Sequence, residues 1–251
     1  MQILGIDVGG TTIKAALVET STGALLSEFI RIATPKPATP QAIGETLKGL
    51  ARHFNHHGPI GVGFPAAIQH GIARTAANID KTFIGLPIAA YFTQLSACPT
   101  HVVNDADAAG LAEMRFGAGK SESGVALIVT IGTGLGTALF TNGQLLPNSE
   151  LGHIFLSNGI EAERYASESV RVVQKLKWKE WGERFNHYLL TMEQLLWPDR
   201  IILGGGVSRQ LAKFQPMLTT RAPVVAASLL NQAGLIGAAL FAESQLDAAE
   251  G

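Results

Sequence analysis

The chain has 251 residues, a net charge of -1, 47% apolar and 16% charged residues, and one cysteine. This composition is typical of a globular protein with one large domain or two small ones, and the balanced charge gives no reason to expect a nucleic-acid partner. The single thiol of Cys98 excludes an internal disulfide framework and a cysteine-based zinc cluster. No apolar run is long enough for a membrane span and no leader pattern precedes the first strand, so we expect a soluble, cytoplasmic protein without a membrane partner.

The amino-terminal part of the sequence predicts a β-hairpin closed by a glycine turn. Apolar runs cover residues 2–8 and 13–18 on either side of Gly9-Gly10. The elements predicted after the hairpin are a strand at 25–32, a helix at 41–55, strands at 59–64 and 101–105, and a helix at 106–116. Strands that alternate with helices in this way indicate an α/β fold.

The opening pattern returns halfway along the chain, where a β-branched run at 125–131 is followed by a glycine turn at 132–137 and a strand at 138–140. The elements predicted next are helices within 161–197, a strand at 200–203, a third glycine turn at 204–206 and a closing helix at 234–242. The repetition predicts two homologous lobes that face each other. Their expected bounds are residues 1–105 for the N-terminal lobe, which a closing helix within 234–251 rejoins, and residues 106–233 for the C-terminal lobe.

Each glycine cluster follows a strand, where backbone N–H groups can approach phosphate oxygens. Two common nucleotide motifs are excluded, because the P-loop needs a glycine where Met114 stands and the dinucleotide motif needs one where Thr137 stands. Asp7 ends the first strand and is suited to Mg²⁺ that carries phosphate, with Lys14 on the paired strand. Taken alone, the same Asp-Gly pattern is more often a structural turn.

The segment Asp7-x-Gly9-Gly10-Thr11-x-x-Lys14 resembles the phosphate motif of the ROK sugar kinases, which belong to the hexokinase and actin superfamily. Five further segments look like the branch of that family that uses inorganic polyphosphate, and they are residues 75–81, 104–110, 132–136, 147–153, and 197–199 with the glycines that follow. The resemblance covers nearly the whole chain. It implies a two-lobed, duplicated actin/hexokinase-like (ribonuclease H-like) α/β fold.

The resemblance implies that Asp105 is catalytic and accepts the proton of the sugar 6-hydroxyl as that oxygen attacks the terminal phosphoryl group. From the residues alone, an aspartate at this position is more often a helix N-cap. The implied sugar-binding residues are Asn78, Asn104, Asp105, Glu150, His153 and Glu163, with Glu161 as an alternative to the last. The implied phosphate- and nucleotide-binding residues are Asp7, Gly9, Gly10, Thr11, Thr12, Lys14, Gly132, Thr133, Gly134, Gly204, Gly205 and Gly206.

The resemblance also bears on metals and on the choice of sugar. In most members of the family the histidine equivalent to His153 binds zinc together with nearby cysteines, but residues 156–163 contain no cysteine. We therefore expect that the protein binds no zinc. We also expect that Mg²⁺ binds near Asp7 together with the phosphate donor. Ala66 stands where the family usually has glycine, which leaves the choice of hexose open.

These features predict a homodimeric kinase that transfers phosphate from inorganic polyphosphate, and from ATP, to the 6-hydroxyl of glucose. An ATP-only hexokinase for mannose or an N-acetylated amino sugar is the alternative. A sugar-responsive repressor would need an N-terminal helix-turn-helix where a strand begins, and an actin-like assembly protein would have no use for the sugar-binding residues. The candidate cations for a polyphosphate chain are Lys14, Arg74, Lys81 and Lys120. The basic residues between Arg164 and Arg184 alternate with glutamates and are typical of a solvated helix face.

Overall fold

The computed structural model describes residues 1–76 and 79–250, and the chain divides into two compact units. Unit 1 contains Met1–Ala112 and the segment that starts at Gln232, and unit 2 contains Glu113–Asn231. Among the described helices, none combines the length and the apolar character that a membrane crossing requires.

The described strands form two main sheets of the same design, one in each unit, and a separate two-stranded sheet made of two short strands at residues 68–69 and 72–73. The strands are β1 (Gln2–Val8), β2 (Thr12–Glu19), β3 (Ala24–Leu25), β4 (Ile30–Ala33), β5 (Ile60–Phe64), β6 (Ile68–Gln69), β7 (Ile72–Ala73), β8 (Thr100–Asn104), β9 (Val125–Ile131), β10 (Leu135–Thr141), β11 (Gln144–Leu146), β12 (Arg200–Gly204) and β13 (Val224–Ala226). The sheet of unit 1 has the order β3-β2-β1-β5-β8, and the sheet of unit 2 has the order β11-β10-β9-β12-β13. In each, an antiparallel hairpin is extended by two parallel strands. The predicted repeat is therefore confirmed at the level of strand order.

The helices cover these sheets and complete a separate core in each unit. They are α1 (Pro40–His53), α2 (Ile88–Ser96), α3 (Asp105–Phe116), α4 (Ala162–Ala166), α5 (Glu168–Val173), α6 (Trp178–Leu196) and α7 (Ala233–Glu250). In unit 1, buried residues of α1 and α2 such as Leu47 and Phe92 join the strand residues Ile6 and Phe64 in one cluster. In unit 2, α6 contributes Trp181 and four other fully buried side chains to the cluster around β9 and β12.

The structure corrects three predicted element bounds. The strand expected at 25–32 is broken into β3 and β4, because the hydroxyl of Ser27 accepts the Leu17 N–H at 3.2 Å where a continuous strand would supply a carbonyl. The glycine turn expected at 132–137 ends at Gly134, since Leu135 already pairs with Ile131 across the hairpin. The closing helix expected at 234–242 extends over Ala233–Glu250.

Helix α7 lies very close to the sheet of unit 1, and this contact depends on small residues. A Cβ atom added to Gly61 of β5 would lie only 2.0 Å from the carbonyl oxygen of Ala238, which is backbone and has little freedom to move. A Cβ at Gly5 of β1 would meet the carbonyl oxygen of Leu235 at 2.1 Å. The alanine-rich face of α7 therefore fits these strands only because both strands carry glycine there.

We expect Gly61→Ala to destabilise the protein by about 1–3 kcal/mol, since the new methyl group forces α7 away from β5. Gly49→Ala in α1 is the matched control, because a Cβ there meets no atom within 4 Å and alanine favours helix by up to about 1 kcal/mol. Urea unfolding measures both free energies. Equal stability of Gly61→Ala and the unmodified protein would contradict the described packing of α7.

Candidate active site

The parallel strands of unit 1 bring two of the predicted carboxylates to one edge of the sheet. Asp7 pairs with Gly63 of β5, which in turn pairs with Val103 of β8, and Asp105 follows two residues later as the first residue of α3. Because strands in a sheet lie about 4.8 Å apart, the backbones at Asp7 and Val103 are separated by roughly 10 Å, and Asp105 lies two residues further along the chain. Unit 1 thus places both carboxylates at the carboxyl ends of parallel strands, where α/β proteins commonly bind ligands.

Asp7 is held by an ion pair within the first hairpin. The Lys14 ammonium lies 2.8 Å from the Asp7 carboxylate, and both side chains are about four-fifths buried. The turn between them is closed by the Gly9 N–H, which donates to the carbonyl of Thr12 at 3.0 Å. The Asp7 carboxylate also packs against Gly234 in the first turn of α7, where a helix favours negative charge. Sequence reasoning missed Gly234, because nothing local links it to Asp7.

The glycine turn after Asp7 presents its backbone outward. Gly10 and Thr11 are exposed, whereas Gly9 and Thr12 are half-buried. The hydroxyl of Thr34 donates to the carbonyl of Gly9 at 2.6 Å and fixes that side of the turn. The exposed amides of this turn are suited to phosphate oxygens.

Asn104, rather than Asp105, acts as the N-cap of α3. The Asn104 side-chain oxygen accepts the N–H groups of Ala106 at 2.8 Å and Asp107 at 3.1 Å. Its amide group donates to the carbonyl of Ala66 at 3.2 Å. The Asp105 carboxylate accepts the Ala106 N–H at 2.9 Å. Asn104 is thus anchored in the scaffold, and Ala66, whose methyl group is buried, takes part in holding it.

In unit 2 the second glycine turn, Gly132 to Gly134, is braced by Glu163. The Glu163 carboxylate accepts the Leu135 N–H at 3.0 Å, directly after the turn. The Ser169 hydroxyl donates to the carbonyl of Thr133 at 2.6 Å from the other side. Glu163 therefore lies beside the predicted phosphate turn.

His153 is held between two carboxylates in unit 2. Its Nδ1 lies 2.6 Å from Glu161, and its Nε2 lies 3.6 Å from Glu150. Arg164 binds the other oxygen of Glu161 at 2.8 Å. Glu150 and His153 flank a single 3-10 turn, so the three-residue spacing brings them together as the sequence predicted. Glu161, which the sequence offered as the alternative to Glu163, makes the shorter of the two contacts with His153.

These contacts change the proton affinities of both groups. The hydrogen bond that the His153 ring donates to the Glu161 carboxylate raises the pKa of His153 above its ordinary value, and the charges of Glu163, Glu150 and Glu161 add to this effect while desolvation opposes it. Partial desolvation raises the pKa of Glu150, an effect that His153 opposes and Glu163 reinforces. The arrangement favours an imidazolium beside Glu150.

The third glycine turn borders a cavity of about 380 Å³ within unit 2. Gly205 has φ +78°, and a Cβ there would lie 2.2 Å from the carbonyl oxygen of Ile131, so the backbone can approach β9 only with glycine at this position. Gly132 and Gly206 both line the cavity. Its polar and aromatic lining consists of Glu168, Arg171, Trp178, Gln210 and Lys213. The sequence did not single out these five residues as a site.

Asn78 lies outside the described residues, so its predicted sugar contact stays a prediction. In the described part of the chain, no group of three or more histidine, cysteine, aspartate or glutamate side chains is arranged to hold a metal ion. Mg²⁺ bound through phosphates needs only one or two protein carboxylates, and Asp7 fits that requirement.

Comparison with known proteins identifies the family. Residues 3–167 match the model of the ROK family, and the chain belongs to that family. The polyphosphate glucokinase of Mycobacterium tuberculosis is 44% identical over 237 residues, which are 94% of this chain and 89% of that protein. Both the predicted family and the predicted branch are confirmed.

Solved structures agree with this assignment. The inorganic polyphosphate/ATP-glucomannokinase from Arthrobacter sp. strain KM is 41% identical and superposes with a TM-score of 0.92, covering 97% of this chain and 99% of that one. A ROK family glucokinase from Streptomyces griseus, solved with glucose and AMPPNP, is 25% identical with a TM-score of 0.83, covering 97% and 100%. The predicted actin/hexokinase-like α/β fold is confirmed.

We expect Glu161→Gln to lower the pKa of His153, because the substitution removes the carboxylate that contributes most to its elevation. Charged His153 stabilises the folded protein, and this stabilisation is complete at pH values below the pKa of His153 in the unfolded chain. It is lost as the pH rises through the pKa of His153 in the folded protein, so Glu161→Gln loses it at a lower pH. NMR titration of the His153 ring measures the shift. Arg164→Gln is the matched control, since it keeps the carboxylate and should not lower this pKa. An unchanged pKa in Glu161→Gln would contradict the described contact.

Proposed function

We propose that this chain transfers the terminal phosphoryl group of inorganic polyphosphate, or of ATP, to the 6-hydroxyl of glucose. Its membership of the ROK family and its 44% identity to a polyphosphate glucokinase over 94% of its length support this proposal. The observation that carries it in the structure is the pair of carboxylates, Asp7 and Asp105, at one edge of the unit 1 sheet. Asp7 is suited to the phosphate donor, and Asp105 is suited to the sugar hydroxyl that accepts the phosphoryl group.

Asp105 is the proposed general base. A carboxylate that accepts the proton of an attacking hydroxyl typically contributes about 10² to 10⁴ to the rate. The position of Asp105 is well defined, because the Asn104 cap and the start of α3 fix its backbone. Asn104, Asn78, Glu150, His153 and Glu163 are the proposed sugar-binding residues.

The donor phosphates are assigned to Asp7, Lys14 and the three glycine turns. Exposed amides of Gly10 and Thr11 support a phosphate contact at the first turn, and Gly132 and Gly206 line the cavity of unit 2. Mg²⁺, when bound with the donor, neutralises the charge of the transferring group, and Asp7 is the residue that would hold it. Lys14 lies 2.8 Å from Asp7 and would place its positive charge beside the donor phosphates.

Mannose is a second candidate acceptor, because the similar Arthrobacter enzyme is a glucomannokinase. Initial rates with glucose and mannose, each with ATP and with polyphosphate, test both the acceptor and the donor. We expect turnover of glucose with both donors. Activity with ATP alone would instead favour the ATP-dependent hexokinase. A homodimer and independence from zinc stay predictions, and so does a cytoplasmic location, which is expected from the sequence pattern alone.

We expect Asp105→Asn to lower kcat by about 10² to 10⁴ while leaving glucose binding and the fold intact, because the amide keeps the shape but cannot accept the proton. Steady-state kinetics and glucose titration measure these effects. Thermal unfolding of the same sample controls for loss of structure. A variant with more than about a tenth of the unmodified kcat would rule out Asp105 as the general base.

A further inference from the structure

The cavity of unit 2 contains two basic side chains over one indole ring. The Arg171 guanidinium lies 4.1 Å from the centre of the Trp178 ring, and the Lys213 ammonium lies 5.5 Å from it. Arg171 comes from α5, Trp178 begins α6, and Lys213 ends a 3-10 helix that starts at Gly206. Three separate elements thus bring two cations to one small cavity.

Arg171 is oriented before any ligand arrives. Its Nε and Nη2 bind the two oxygens of Glu168 at 2.9 and 2.7 Å, so two of its five N–H donors are used. Trp178 below it packs parallel to Phe214, with ring centres 6.0 Å apart, and edge-on to the buried Trp181 at 5.8 Å. The guanidinium therefore stacks on an indole ring that neighbouring aromatic rings hold in place, and three of its N–H donors are left for another acceptor.

Lys213 supplies the excess positive charge of the cavity. Glu168 balances Arg171, whereas Lys213 forms no ion pair with any residue in the described ranges. Lys213 is exposed and lies beside the oriented Arg171 guanidinium. Together the two cations favour binding of an anion with several negative charges. Because the guanidinium covers the Trp178 ring, a nucleoside base would have to displace it in order to stack there.

We propose that Arg171 and Lys213 bind the phosphates of a polyphosphate chain that lie beyond the transferred group, and that they favour this donor over ATP. This inference rests on the proposed function, because it assumes that the Gly132 turn receives the reacting end of the donor. Gly132 and both cations line the same cavity, so a chain that starts at the turn reaches them without leaving unit 2. A nucleoside triphosphate ends after three phosphates and has fewer charges to place there.

The test compares Lys213→Gln with Lys179→Gln. Lys179 is the matched control, because it is exposed on α6 but does not line the cavity. We expect Lys213→Gln to raise KM for long-chain polyphosphate about tenfold while changing KM for ATP less than about twofold, because one charge-assisted contact to the chain is lost. Lys179→Gln should change neither. Arg171→Lys keeps the positive charge but loses the bidentate geometry of the guanidinium. It should also raise KM for polyphosphate more than KM for ATP, by a smaller factor than Lys213→Gln.

Calorimetric titration of the full protein with long-chain polyphosphate and Mg²⁺, without glucose, separates the two proposals. If the unmodified protein binds polyphosphate tightly and Lys213→Gln weakens that binding, the subsite is supported. This holds even if polyphosphate gives no turnover, and in that case only the proposal that polyphosphate is a phosphoryl donor is wrong. Turnover with polyphosphate that Lys213→Gln and Arg171→Lys leave unchanged overturns the subsite while the proposed function stands. A larger loss with ATP than with polyphosphate would also overturn it, since the cavity would then bind the nucleoside.

Discussion

Parallel pairing of β1, β5 and β8 places the ends of these strands at one edge of the unit 1 sheet, and the candidate chemistry of this unit depends on that constraint. Asp7 ends β1 and Asp105 follows β8, so the sheet itself sets their separation. The glycines of β1 and β5 then allow α7 to lie close enough for Gly234 to reach Asp7. The same packing that stabilises unit 1 therefore also defines the surroundings of the Asp7 carboxylate.

Three charged side chains at the candidate sites are held in place by ion-pair partners. Lys14 holds Asp7, Glu161 holds His153, and Glu168 holds Arg171. Each pair fixes the orientation of a group that the proposed reaction uses. Such partial neutralisation also lowers the cost of keeping charges half-buried, because each charge already has a hydrogen-bonded partner.

The proposed sugar-binding histidine, His153, has surroundings that differ from the pattern expected for the family. Where most relatives are expected to hold the equivalent imidazole with zinc, this chain offers a carboxylate to His153 Nδ1, and Arg164 holds that carboxylate in turn. A hydrogen bond to a carboxylate orients an imidazole and favours its charged form. The raised pKa of His153 follows from this contact, and Nε2 is left directed toward Glu150.

The sequence by itself determined the two hairpins with their glycine turns and the position of Lys14 opposite Asp7, and it placed the start of the helix after β8 within one residue of the observed start at Asp105. These features follow from neighbouring residues, because strand alternation, glycine turns and helix starts are local patterns. Only the tertiary structure decided that Glu161 and not Glu163 contacts His153, and that Arg171 and Lys213 share the indole of Trp178. Those pairs join elements separated in the chain, and a contact made by folding leaves no periodic signal in the sequence that would predict it.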